Sequence, residues 1–278
     1  MPTAAYGRWS RSRMLGRGVA CLAEFLLISW ATTALFFDFP IAAARLAAAV
    51  IYGSLFLSVL VISRDHRRKL GVTIVAFLCV LAWWLSLPAS NSRNWQPDVA
   101  KTAWAEVHGD KLTIHNFRNC DYRTETDYTP HWETKTVSLS QLLGLDVFIT
   151  YWGSPWIAHP IVSFDFGDQG YVAMSVETRK EVGESYSAIR GFFRYYELIY
   201  IVSDERDVVR LRTNFRNGEE VYLYHTRATP EQARIIFLHY LHRANEMREH
   251  PEWYNALTNN CTTNIAHHVA QTRAGKEV

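Results

Sequence analysis

The chain has 278 residues, enough for one domain of ordinary size plus extra elements. Hydrophobic residues make up 49% of it, yet the mean hydropathy is only −0.11, which fits an uneven chain better than a uniform globule. A formal net charge of +2 gives no bulk electrostatic case for nucleic acid as a partner.

Three apolar stretches open the chain, at residues 19–37, 41–62 and 70–87. Each is close to the ~20 residues that carry a helix across a bilayer. Asp38-Phe39-Pro40 separates the first two, so they form a tight hairpin. Arg64, Arg67, Arg68 and Lys69 separate the second and third, and Arg8, Arg11, Arg13 and Arg17 precede the first. The positive-inside rule puts both basic clusters in the cytoplasm and everything after Pro88 outside. Trp83, Trp84 and Trp95 are then expected at the outer interface, where indole rings are favoured. The competing reading is a cleaved signal peptide before a helical core. It lacks a small-residue cleavage site and leaves two further apolar segments unexplained. Glu24 and Arg45 fall inside spans, where they either pair or snorkel.

The expected organisation is a cytoplasmic N-terminus at 1–18, three transmembrane helices in 19–88, a linker at 89–104 and an exocytoplasmic α+β domain at 105–278. Strand-like runs occupy 111–117, 135–139, 146–152, 157–166, 171–178, 198–202 and 221–225. The first alternates, with Leu112, Ile114 and Asn116 on one face. Gly167-Asp168-Gln169-Gly170 turns 157–166 into 171–178 as a hairpin. A helix starts at Thr229, with Pro230 at its first position and Gln232 at its third. Ala233, Phe237, Tyr240, Leu241, Ala244 and Met247 give it an apolar stripe. A second helix begins near Asn259-Asn260-Cys261-Thr262-Thr263, where an asparagine can cap free N–H groups.

Of four cysteines, Cys21 and Cys79 lie in spans and read as apolar residues, while Cys120 and Cys261 lie outside. Cys261, in the first turn of a helix, faces the positive end of its dipole, which favours the reactive thiolate. Its proton acceptor is expected to be His159, at the start of the strand that enters the hairpin. Glu177 or Ser175 on the returning strand would orient the imidazole, with Glu177 preferred. Two plainer readings compete. Cys120 and Cys261 can form a disulfide in an oxidising compartment, and a lone His159 can be an ordinary strand-end residue. His239, His242, His267 and His268 raise a metal site, but the two pairs fall on different helices and no second cluster has ligand spacing. No metal or cofactor is therefore expected. Arg118, Arg123, Arg179 and Arg194 read as solvated or structural, with anion binding as an unspecific alternative.

Several short motifs occur in one order: His115-Asn116-Phe117-Arg118-Asn119, the stretch 128–132, Ala158-His159-Pro160, Phe164-Asp165-Phe166-Gly167, Ser175-Val176-Glu177-Thr178-Arg179, Arg194-Tyr195-Tyr196 and Asn259-Asn260-Cys261-Thr262-Thr263-Asn264. Over roughly residues 105–270 the chain resembles the Lnb-type lipoprotein transacylases. These are circularly permuted papain-like (NlpC-like) thiol acyltransferases. The resemblance implies a permuted papain-like domain with a small antiparallel sheet, facing the periplasm from a multi-pass anchor in the bacterial inner membrane. It implies as partners membrane lipid and lipoproteins whose N-terminal cysteine carries a diacylglyceryl group. One acyl chain would move from the glycerol to that cysteine's α-amino group, leaving a lyso-form lipoprotein. Cys261 would be the nucleophile, His159 the base and Glu177 its orienter, with N–H groups at the helix start as oxyanion donors. Trp83, Trp84, Trp152 and Trp156 would line the acyl route, or else serve as core or interface residues. Two alternatives remain: an envelope thiol hydrolase (amidase, esterase or protease) with the same dyad, and a non-catalytic binding module with a Cys120–Cys261 bridge.

Overall fold

A computed structural model describes residues 4–63 and 65–274. Arg64 of the basic loop, the first three residues and the last four lie outside the described residues, as do the side chains of Arg8, Arg11, Arg13 and Arg17. The chain divides into two compact units: residues 1–88 with Phe193–Tyr195, and residues 89–192 with 196–278.

The helical unit contains α1 (Ala4–Asp38), α2 (Arg45–Ile62) and α3 (His66–Ser86). Each holds a segment long and apolar enough to cross a membrane: Gly18–Asp38, Ala42–Val59 and His66–Ser86. Pro40 cannot continue α1, and a single 3₁₀ turn, Ala42–Ala44, leads into α2. Asp65 caps α3 by accepting from the N–H groups of Arg67 and Arg68, so much of the basic loop is already the first turn of a helix. Small residues let α1 and α2 approach: Ala31, Ala34 and Ala49 are buried, and Gly53 faces Thr32. Trp30 packs edge-on against Phe77 and Trp84 at 5.5 and 5.2 Å. Asp38 accepts from the Trp84 indole at 2.6 Å and from the Arg194 backbone N–H at 3.1 Å. Glu24 and Arg45 do not pair. Arg45 donates to the Phe39 carbonyl at 2.9 Å, and the Glu24 carboxylate is buried without a hydrogen-bond partner among the described residues.

The second unit is built on a sheet. Its strands are β1 (Trp104–His108), β2 (Lys111–Arg118), β5 (Trp132–Ser138), β6 (Gly144–Tyr151), β7 (Ala158–Asp165), β8 (Tyr171–Arg179), β9 (Glu197–Ser203) and β10 (Glu220–His225). β3 (Asp121–Tyr122) and β4 (Tyr128–Thr129) form a separate small ribbon. The main sheet has the order β1-β2-β9-β8-β7-β6-β10, with β5 also on β2. Every pairing is antiparallel except β2 with β9, which meet in parallel at Arg118 and Ser203. With eight strands the sheet is not the small one expected. β1, whose Glu106, Val107 and His108 are exposed, gives no apolar alternation from which to read it.

β7, β8 and β9 are buried on both faces, which is why they read as near-continuous apolar runs. On one face Phe164 and Phe166 pack against Phe237 of α5 (Pro230–Glu249). On the other, Ile161 and Ala173 pack against Val208 and Val209 of α4 (Glu205–Arg210). Thr229 and Gln232 form a reciprocal capping box, and the stripe expected on α5 is buried with Ile236 added. The last helix is α6 (Cys261–Ala274).

Two expectations are corrected. Asn116 has a positive φ of 53° and sits at a bulge, so Phe117 takes the inward place instead; the Asn116 amide donates to the Thr102 carbonyl. Trp95 is not an interface residue but core, clustered with Val99, Ile199 and Ile201, with Arg179 stacked 4.4 Å from its ring. The segment 89–104 is thus tied into the sheet unit. Arg118 is structural: it forms a buried bidentate pair with Asp207, whose other bond is to the Cys120 N–H.

Candidate active site

Cys261 occupies the first position of α6, and the turn before it is fixed by asparagines. Asn260 accepts from the Thr263 N–H at 3.1 Å while its own N–H donates to the Thr263 hydroxyl at 2.9 Å, a reciprocal cap. The Asn264 amide donates to Asn259 Oδ1 and to the Asn260 carbonyl, both at 2.9 Å. Asn264 in turn accepts from the buried Tyr200 hydroxyl at 2.8 Å. Tyr200 also meets His268 Nε2 at 3.0 Å, and burial drives the His268 pKa down to about 3, so that ring is a neutral part of the scaffold. The helix start is held from behind while the Cys261 thiol stays half-buried.

His159 comes from the first turn of β7 and is buried; Ser175 and Glu177 lie on β8. The register pairs Ile161 with Ser175, so two residues further on His159 lies across from Glu177. His159 Nε2 is 2.8 Å from Ser175 Oγ and 3.0 Å from Glu177 Oε1, and the Ser175 hydroxyl donates to that same oxygen at 2.7 Å. Both sequence candidates for orienting the imidazole are therefore in place together. With Nε2 occupied, Nδ1 is the nitrogen left for the thiol. The His159 imidazole is close enough to Cys261 for each group to shift the pKa of the other.

The charges reinforce one another. Burial pushes the Cys261 thiol up, but the neighbouring His159 imidazole outweighs it, and the pKa falls below the usual thiol value. Burial pushes His159 down, but the Glu177 carboxylate outweighs it and the pKa is raised. Glu177 is itself raised by burial and then pulled far below the ordinary carboxylate range by His159 and Arg212. The arrangement favours a thiolate–imidazolium pair backed by a carboxylate. The N–H groups of Cys261 and Thr262 precede the first intrahelical bonds of α6, so they are available to an oxyanion.

Two participants, Arg212 and Glu219, are not read from the sequence, and Trp152 is read only as a residue of the acyl route. Arg212 is buried on a single π-helical turn, Leu211–Phe215, directly after α4. Its guanidinium lies 2.9 Å from Glu177 Oε1 and 3.2 Å from Glu219 Oε1. Trp152 donates from its indole to Glu219 at 2.6 Å and lies 6.0 Å, ring to ring, from His159. A π turn has no sequence signal. The approach of Glu219 to Glu177 also depends on a long connection whose path periodicity cannot give.

Cys120 does not pair with Cys261. Both thiols are free, and Cys120 is buried with Tyr122 and Leu211, its pKa raised to about 12 by burial. His239, His242 and His267 line an open cavity of about 530 Å³ beside the start of α6, together with Arg243, Glu246 and Thr258. Neither Cys261 nor His159 lines it. No group of three or more His, Cys, Asp or Glu among the described residues is arranged to hold a metal.

A cysteine at a helix start, a histidine on a strand and a carboxylate behind it define the thiol–imidazole class of site. The Lnb N-terminal periplasmic domain family matches residues 128–277, more than half of the chain, and includes His159, Ser175, Glu177, Arg212 and Cys261. The chain belongs to the Lnb family. This is a family linked to lipoprotein modification in the cell envelope, and here its periplasmic domain follows apolar N-terminal helices. No curated protein and no solved structure matches the chain.

Proposed function

We propose that this protein is a multi-pass inner-membrane acyltransferase with a permuted papain-like periplasmic domain. It moves one acyl chain of a diacylglyceryl lipoprotein to the α-amino group of the lipoprotein's N-terminal cysteine. The observation that carries the reading is the His159–Glu177 pair at 3.0 Å beside a Cys261 thiol whose pKa it lowers, in a chain of the Lnb family.

The Cys261 thiolate attacks the glycerol ester carbonyl, and the oxyanion is held by N–H groups at the start of α6. The carbon–oxygen bond breaks as the His159 imidazolium gives its proton to the departing glycerol oxygen, leaving a Cys261 thioester. The lipoprotein amine then attacks the thioester. His159 takes the amine's proton, the thiolate leaves, and an amide remains. Two acyl steps replace one difficult ester-to-amide exchange. Glu177 keeps the imidazole oriented and its positive form favoured in both.

The test is to express the chain and Cys261→Ala in a bacterium that makes only diacylglyceryl lipoproteins, then to weigh the N-terminus of one abundant lipoprotein. An N-acyl, monoacylglyceryl terminus that depends on Cys261 supports the reading. An unchanged terminus, with the protein folded in the membrane, overturns it in favour of a thiol hydrolase using the same dyad.

A further inference from the structure

In an antiparallel run the connections alternate between the two ends of the sheet. In β6-β7-β8-β9 the β6–β7 turn (152–157) and the β8–β9 connection (180–196) share one end, and the β7–β8 turn at Gly167–Gln169 is at the other. His159 and Glu177 lie at the first end. The segment before Cys261 is there too, because Tyr254 N–H donates to the Tyr196 carbonyl and Ala256 N–H to the Gly191 carbonyl.

Several large apolar side chains are exposed at this end. Trp156 is 92% exposed and Ile157 56%, on a turn, 152–157, without a charged residue. Ile189 is 61% exposed, Phe192 40% and Leu257 71%, on two segments joined by the Ala256–Gly191 hydrogen bond. Exposed aromatic and aliphatic side chains grouped in this way mark an interaction surface. Only a short stretch of chain joins the third apolar helix to this unit. That helix ends at Ser86, and the Ser90 N–H already bonds to Glu197, the first residue of β9. Four residues reach at most about 14 Å. Phe193 and Arg194, directly after Phe192, belong to the helical unit: Phe193 packs 5.4 Å from Phe37, and Arg194 donates to the carbonyls of Leu85 and Leu87.

We propose that the Trp156–Ile157 turn, with Ile189, Phe192 and Leu257, is a lipid-binding surface that inserts into the periplasmic leaflet of the membrane crossed by the apolar helices. The inference deepens the acyl-transfer reading and rests on it for one of two readouts. Interfacial insertion brings the mouth of the site to the depth of a lipid ester, and aromatic side chains suit that depth.

The first readout is depth. The full chain, with Cys21, Cys79 and Cys261 changed to Ser, carries an NBD label on Trp156→Cys in one sample and on Asp168→Cys, in the opposite turn, in another. Both enter vesicles of phosphatidylethanolamine and phosphatidylglycerol with brominated acyl chains. The label at 156 is expected to be quenched and blue-shifted, and that at 168 to stay as in water. No quenching at 156, or equal quenching at both, overturns the inference and turns the surface over to a protein partner. The second readout is kinetic. A double variant, Trp156→Ser with Ile157→Ser, should raise KM for a vesicle-bound diacylglyceryl lipopeptide by about tenfold while Cys261 alkylation by iodoacetamide keeps its rate. An unchanged KM counts against the inference. If the label at 156 is quenched but wild-type protein transfers no acyl group, the surface stands and the acyl-transfer reading fails.

Discussion

Arg212 reaches the very oxygen of Glu177 that faces the histidine: Arg212 Nη2 and His159 Nε2 lie 2.9 and 3.0 Å from Glu177 Oε1. One carboxylate oxygen is thereby fixed by two cationic groups and by the Ser175 hydroxyl. Arg212 is held in turn by Glu219, so the orientation of His159 is set through three layers of side chains.

Arg212→Met should leave Glu177 free to rotate. A drop in kcat of about 10- to 100-fold is expected, with KM nearly unchanged, because Arg212 acts through Glu177 and not on substrate. Arg212 also depresses the basicity of His159, so its removal should move the alkaline limb of the pH–rate profile upward. Arg212→Lys should recover part of the rate. A pH profile identical to wild type in Arg212→Met would assign Arg212 a purely structural role.

Activity should be bell-shaped in pH, since the thiolate–imidazolium pair exists only between the two apparent pKa values of the dyad. The acid limb reports loss of the thiol proton below its usual value, and the alkaline limb loss of the imidazolium proton above its usual value. Glu177→Gln removes the charge that raises His159, so the alkaline limb moves to lower pH. The same change removes a repulsion on the thiolate, so the acid limb moves less. The pH dependence of iodoacetamide alkylation at Cys261 checks this without a lipid substrate.

Asp207 is fully buried against Arg118 and also accepts the Cys120 N–H. Asp207→Ala strands a guanidinium in the core and should cost about 3–5 kcal/mol. Proteolysis of the sheet unit across a urea series measures it. A loss under about 1 kcal/mol would mean that the pair is hydrated in solution.

Asn260 caps the helix that presents Cys261. Asn260→Ala should remove about 1 kcal/mol and slow Cys261 alkylation, since the frayed first turn loses its dipole alignment. Asn260→Ser, which keeps a capping oxygen, should restore the alkylation rate.

The elements at the site were largely legible in the sequence. The Thr229 cap, the α5 stripe and the hairpin around Gly167–Gln169 are local signals, and each forms where its residues predict. His159 and Glu177 face each other across a hairpin, a local relation, whereas Cys261 reaches them through long-range bonds of residues 254 and 256 to 196 and 191 that no local pattern gives. Arg212 and Glu219 escaped because a π turn and a long connection carry no period. Strict alternation points Asn116 inward because it does not foresee a bulge. The place of Trp95 after a span points to the interface, whereas its indole is held in the sheet unit by its bond to the Asn91 carbonyl.

The most direct measurement is an acyl balance on purified protein in vesicles, with a diacylglyceryl lipopeptide whose ester chains are deuterated. N-acylated lyso-lipopeptide should form in equal amount to the diacyl substrate consumed, with no free fatty acid. Quenching in acid should leave a deuterated acyl group on the Cys261 peptide, removable by neutral hydroxylamine. Release of free fatty acid in place of the amide, or full transfer by Cys261→Ser, would contradict the account.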